Sequence, residues 1–180
     1  MLPIAQAMQL LATAGYVPLG PLIEQHEFPL LVRKRQVVSV AKIARPDNVA
    51  VLQQLEQHPV RRMPRIEDVL VSGDCAVSIE TLINGQTLAD RLQDLGTFTP
   101  LMVAQVATEL LGTLQRLATL NIVHRDIKLS NIMFYKDHYY LIDVNAARQY
   151  HNEQSSDTRL LGTSGFCCAR KLWLCSDGSA

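Results

Sequence analysis

The chain reads as an α+β fold in two parts, a five-stranded antiparallel sheet followed by a helical part. Three observations carry this reading. Between Tyr16 and Ile79 the apolar residues come in short runs broken by turns, whereas from Leu88 to Leu120 they recur at helical spacing. A polar cluster of Asp126, Lys128, Asn131 and Asp143 then follows on a loop and hairpin. With 180 residues, 48% of them hydrophobic, and a formal net charge of zero, the chain is long enough for one globular domain.

The elements follow in order. Ile4, Met8 and Leu11 predict a short amphipathic helix over Leu2 to Ala14, stopped by Gly15. Tyr16-Val17, Pro29 to Val32 and Val37 to Ile43 read as three strands. Asn48 to Gln57 reads as a helix with Val51, Leu52 and Leu55 on one face, ended by His58-Pro59. Ile66 to Leu70 and Cys75 to Ile79, around the turn Ser72-Gly73-Asp74, complete the sheet. Thr87 or Asn84 is placed to cap a helix over Leu88 to Leu95. Pro100 opens a long helix to about Leu120, and the stripe of Leu101, Ala104, Val106, Ala107, Leu110, Leu111, Leu114 and Leu117 is broad enough to imply burial. Ile132-Met133-Phe134 and Tyr139 to Ile142 flank the polar turn Lys136-Asp137-His138, which predicts a β-hairpin with Asn131 and Asp143 at its two ends.

Composition narrows the function classes. Neutral charge points away from nucleic acid and anionic lipid, and Arg33-Lys34-Arg35 reads as a solvated strand end. The first residues carry Gln6 and Gln9 without a basic leader, and no stretch is long enough to span a bilayer, so neither a signal peptide nor a membrane is expected and a cytoplasmic location follows by default. Cys75 stands apart, and Cys167, Cys168 and Cys175 lack partners at zinc-site spacing.

The chemistry lies in Ile122-Val123-His124-Arg125-Asp126-Ile127-Lys128-Leu129-Ser130-Asn131 and in Asp143. Two carboxylates, a carboxamide and an ammonium suit a magnesium phosphate. Phosphoryl transfer needs a carboxylate to orient an attacking hydroxyl and take its proton, oxygen ligands for Mg²⁺, and a cation beside the transferring group. The string resembles the eukaryotic-type Ser/Thr protein kinase family in its bacterial members, whose catalytic loop is His-Arg-Asp-x-x-x-x-Asn. That resemblance implies a two-lobed kinase fold, ATP and Mg²⁺ as cofactors, and a protein Ser or Thr hydroxyl as substrate. It makes Asp126 the catalytic base, Lys128 the phosphate-contacting lysine, and Asn131 and Asp143 the metal ligands.

Two further stretches carry the resemblance. The strand Val37 to Ile43, which contains Val40-Ala41-Lys42, resembles the kinase Val-Ala-x-Lys strand and implies that Lys42 contacts the α- and β-phosphates. Glu80 to Leu88 resembles the hinge Glu-Tyr-x-x-Gly-x-Thr-Leu, implying that the backbone from Thr81 to Ile83 holds adenine. Three features depart from the family. Ile23 to Phe28 contains no glycine where a Gly-rich loop is expected. The helix position that should supply a glutamate to Lys42 falls on Asn48 or Val49, and Glu56 lies too near the helix end to replace it. Val144-Asn145 stands where Phe-Gly should follow Asp143.

Ala146 to Leu161 reads as an activation loop, with Thr158 a candidate phosphosite. Gly162 to Cys167 resembles the approach to the kinase Ala-Pro-Glu motif, but Cys168 to Ala180 does not continue it. Codons compatible with Cys167 to Ala180 yield, on deletion of one T, the sequence Cys-Ala-Pro-Glu-Ser-Tyr-Gly-Phe-Ala-Gln-Thr-Asp-Leu, which restores the motif. Trp173, encoded only by TGG, largely forces the glycine of that frame. The expectation is therefore a kinase domain truncated by a frameshift near Cys168: a small lobe over 16–79, a partial large lobe over 80–167, and an out-of-frame tail over 168–180. Apolar surface on the long helix would then lack its usual cover. A nucleotide-binding or scaffolding pseudokinase and an inert kinase fragment stand as alternatives; substrate identity and oligomeric state are not encoded legibly.

Overall fold

Helix α1 (Pro3–Thr13) ends as the sequence predicts. Gly15 takes φ +80°, the Tyr16 N–H reaches the Leu11 carbonyl at 2.8 Å, and the Gly15 N–H reaches Ala12 at 3.1 Å. This is a Schellman cap, in which the left-handed residue satisfies carbonyls that the helix would otherwise leave open. The computed structural model describes residues 3–150. The chain divides after Gly85 into two compact units.

In the first unit, strands β1 (Val17–Pro21), β2 (Leu30–Lys34), β3 (Val37–Ala44), β4 (Ile66–Ser72) and β5 (Cys75–Thr81) form one sheet in the order β1-β2-β3-β5-β4. Every neighbouring pair is antiparallel, as expected. Helix α1 packs on β4 and β5 and places Ala7 and Leu11, both fully buried, in a cluster with Tyr16, Leu30, Val32, Ala41, Cys75, Val77 and Ile79. Side chains alternate along a strand, so Ala76, Ser78 and Glu80 of β5 project to the opposite face, as do Val40 and Lys42 of β3. Helix α2 (Val49–Gln57) packs on β4 and buries Val51, Leu52 and Leu55, the face its spacing indicated. Arg33, Lys34 and Arg35 are exposed at the end of β2, with Lys34 over the Tyr16 ring and 3.9 Å from Asp68.

In the second unit, helix α3 (Leu88–Leu95) is capped by Thr87, whose hydroxyl accepts from the Asp90 N–H at 3.1 Å. Helix α4 (Pro100–Thr119) is capped in the same way by Thr99, which accepts from Met102 at 3.2 Å. Strands β6 (Gln86–Thr87), β8 (Ile132–Tyr135) and β9 (His138–Leu141) make a small sheet, and β7 (Ile122–Val123) pairs with β10 (Arg148–Gln149). The expected burial of the α4 stripe is largely absent. Only Thr113 and Leu117 are buried, whereas Leu101 is 79% exposed and Leu111 58%. Among the described elements α4 packs chiefly on β7 and β9, and two short strands cover one edge of the stripe only. Thr158 and the expected tail from Cys168 lie outside the described residues.

Burial, reinforced by the Asp68 carboxylate within hydrogen-bonding range, pushes the Tyr16 phenol up from 10.0 to about 12. The folded state therefore holds this proton more tightly than the unfolded chain. The sign follows: its contribution to stability is intact below pH 10 and is lost as pH rises from 10 towards 12. Urea unfolding across that range should show a steeper decline for the native protein than for Tyr16→Phe.

Candidate functional site

Lys42 sits in the middle of the sheet, on β3 between β2 and β5. It follows Ala41 directly, one residue short of Val-Ala-x-Lys spacing, so strand pairing locates it better than the motif does. Its Nζ lies 2.8 Å from Glu80 Oε2, and the other oxygen of that carboxylate accepts from the Ser78 hydroxyl at 3.0 Å. The side chains are 16% and 5% exposed respectively, so the two charges are largely withdrawn from water but are paired. Motif reading missed this partner. In the hinge pattern the glutamate stands four residues before the glycine, and counting back four from Gly85 reaches Thr81 rather than Glu80. Glu80 therefore still belongs to the strand, and its parity with Ser78 was the legible signal.

The Thr81 N–H is already donated to the Arg65 carbonyl at 2.9 Å. A purine edge would have to meet other backbone groups of the half-buried segment through Ile83. The connection from β1 to β2 is free of glycine and exposed from Leu22 to Glu27, and the first turn of α2 holds no acidic residue, so both departures persist in the fold.

In the second unit, one loop carries the remaining candidates. It is held at its start by β7, paired with β10, and at its end by the β8–β9 hairpin. The hairpin turns through Lys136 and Asp137, both with positive φ, the type I′ geometry that matches strand twist. Because Ile132 pairs with Leu141 and the Ile142 N–H donates to the Asn131 carbonyl at 2.8 Å, Asn131 and Asp143 stand at the two open ends of the hairpin, as predicted. The buried Asn131 carboxamide donates to the Asp126 backbone carbonyl at 2.9 Å and to Asp126 Oδ2 at 2.8 Å. Lys128 Nζ also lies 2.8 Å from Oδ2. Two candidate residues thus converge on one carboxylate oxygen of a third, and Asp126 Oδ1 meets no donor among the described residues.

Asp143 has φ +64° and Arg125 +71°, backbone states that cost about 1–3 kcal/mol each unless the surroundings impose them. Buried His124 and Asn131 bracket Arg125, and the Asn145 N–H donates to Asp143 Oδ1 at 3.3 Å. Val144 fills the place expected of phenylalanine and is itself buried. Asn131 Oδ1 and Asp143 Oδ2 meet no donor among the described residues. These are hard oxygen donors of the kind Mg²⁺ takes, and no cluster of three His, Cys, Asp or Glu side chains offers an all-protein cage among the described residues. The set fits a metal that draws its other ligands from water and phosphate.

Residues 31–174 match the model of the protein kinase domain. The match begins within the sheet, covers every candidate above, and runs past residue 167. The chain is 47% identical over 51 residues to "Probable serine/threonine-protein kinase mkcE" of Dictyostelium discoideum, covering 28% of this chain and 7% of that protein. It is 31% identical over 88 residues to calcium/calmodulin-dependent protein kinase type 1B of Rattus norvegicus and of Homo sapiens, covering 49% of this chain and 25% of each relative. The aligned stretches thus span a quarter or less of these curated relatives.

Replacing Asn131 by Ala removes two bonds that tie the loop to the hairpin. A loss of about 1–3 kcal/mol in unfolding free energy is expected, with faster amide exchange at Ile142, measured by denaturant titration and hydrogen exchange.

Proposed function

The chain belongs to the protein kinase domain family, and from that premise we propose that it binds magnesium ATP and transfers the γ-phosphoryl group to a Ser or Thr hydroxyl of a protein. The carrying observation is the state of Asp126. Its Oδ2 is fixed by Asn131 and Lys128, while Oδ1 remains open to accept the hydroxyl proton. A base held this way needs little reorganisation when the proton moves.

In this reading Lys42 contacts the α- and β-phosphates and the backbone from Thr81 to Ile83 holds adenine. Lys128 lies beside Asp126 and supplies positive charge to the transferring group. Asn131 and Asp143 offer oxygens to Mg²⁺, which when bound would neutralise charge on the phosphates. The protein substrate, and a cytoplasmic setting for the reaction, belong to the same proposal; no described helix is long and apolar enough to cross a membrane.

The glycine-free connection between β1 and β2 favours a second reading. Side chains there, including Glu24 and Glu27, stand where backbone amides would otherwise approach phosphate and would repel it, so the chain would act as a nucleotide-binding or scaffolding pseudokinase that does not transfer phosphate. Titration with magnesium ATP followed by phosphotransfer to Ser/Thr peptides separates the two. The kinase reading expects Asp126→Asn to lower transfer by about 10²–10⁴-fold while nucleotide affinity persists. Binding without transfer, indifferent to Asp126→Ala, would establish the pseudokinase, and absence of cooperative unfolding would establish an inert fragment.

We also infer a single-nucleotide insertion near Cys168, on the strength of the Ala-Pro-Glu motif recovered in the alternative frame. Sequencing the gene across that codon should show codons compatible with the restored frame; incompatible codons reject the insertion.

A further inference from the structure

We propose that Glu80 is the positioning residue for Lys42, replacing the helix glutamate that the chain lacks, so that this lysine is set by the sheet and not by helix α2. The inference rests on the nucleotide-binding reading and specifies how that site is held.

Helix α2 cannot supply the carboxylate. Its first turn contains no acid, Asn48 and Val49 occupy the expected position, and the one acidic residue of the helix, Glu56, stands in its last turn. On β5, by contrast, Glu80 pairs in register with Val40, and Ser78 pairs with Lys42, so Lys42 and Glu80 are diagonal neighbours on one face of adjacent strands. The carboxylate has one oxygen on the ammonium at 2.8 Å and the other on the Ser78 hydroxyl at 3.0 Å. Glu80 is only 3% exposed, and a carboxylate so placed would be costly without both donors. An ammonium has three N–H donors, so the bond to Glu80 leaves two for phosphate oxygens.

The mechanical consequence differs from that of a helix-borne partner. In kinases the lysine–glutamate pair forms or breaks with the placement of the helix, which makes the pair a point of control. Here both partners belong to one antiparallel ladder, and moving their backbone positions apart would require breaking its hydrogen bonds. The lysine is therefore preset, and displacement of α2 has no carboxylate to carry away.

Two measurements test this on the full chain. Without nucleotide, the rate at which an amine-acylating reagent labels Lys42, mapped by peptide mass spectrometry, should rise several-fold in Glu80→Gln and stay at the native rate in Glu56→Gln. With nucleotide, magnesium ATP should bind about tenfold or more weakly to Glu80→Gln, with a smaller loss in Glu80→Asp, and unchanged to Glu56→Gln. Should Glu80→Gln fail to fold, Glu80→Asp, which keeps the charge but shortens its reach, carries both comparisons. Unchanged labelling overturns the pairing. Native ATP affinity that Glu80→Gln leaves intact or strengthens overturns the positioning role alone, since a sequestering carboxylate would give that result. A native chain that does not bind magnesium ATP overturns the nucleotide reading, and with it the role of Glu80, even where labelling shows the pair to exist.

Discussion

A carboxylate on a loop keeps a fixed position only if the loop cannot wander, and in this molecule the restraint on Asp126 is the buried carboxamide of Asn131. One nitrogen spans the loop to both the backbone and the side chain of Asp126, while the backbone carbonyl of the same residue anchors the far strand of the hairpin. Lys128 adds a charge-assisted contact to the same oxygen. The left-handed backbone at Arg125 and Asp143 is affordable because these contacts, with the β7–β10 pairing, determine the path of the chain on both sides. Binding and catalytic chemistry on a loop of this kind depends on regular elements that fix its ends.

Much of this was legible in the order of residues. The hairpin could be read because two short apolar runs enclose a polar turn, and the register then put Asn131 and Asp143 at its ends without further assumptions. The five strands were legible for the same reason, and α1 announced its stop through Gly15, which has positive φ.

Two features escaped, for different reasons. The stripe on α4 records which face of the helix is apolar, but hydrophobicity states a preference and does not supply a covering element; Leu101 and Leu111 remain open among the described residues. Glu80 escaped because motif matching assigned it to the hinge, where its side chain had no task. Parity along β5 corrects that: Cys75, Val77 and Ile79 share the face of α1, which leaves Glu80 on the face of Lys42.

That parity gives the β3–β5 ladder a second duty. A slip of one residue between these strands would turn Glu80 inward among Leu11, Val32 and Ala41 and present Ile79 to the ammonium. The wrong alignment would bury one unmatched charge and strand another, so electrical neutrality of the sheet interior proofreads its own assembly.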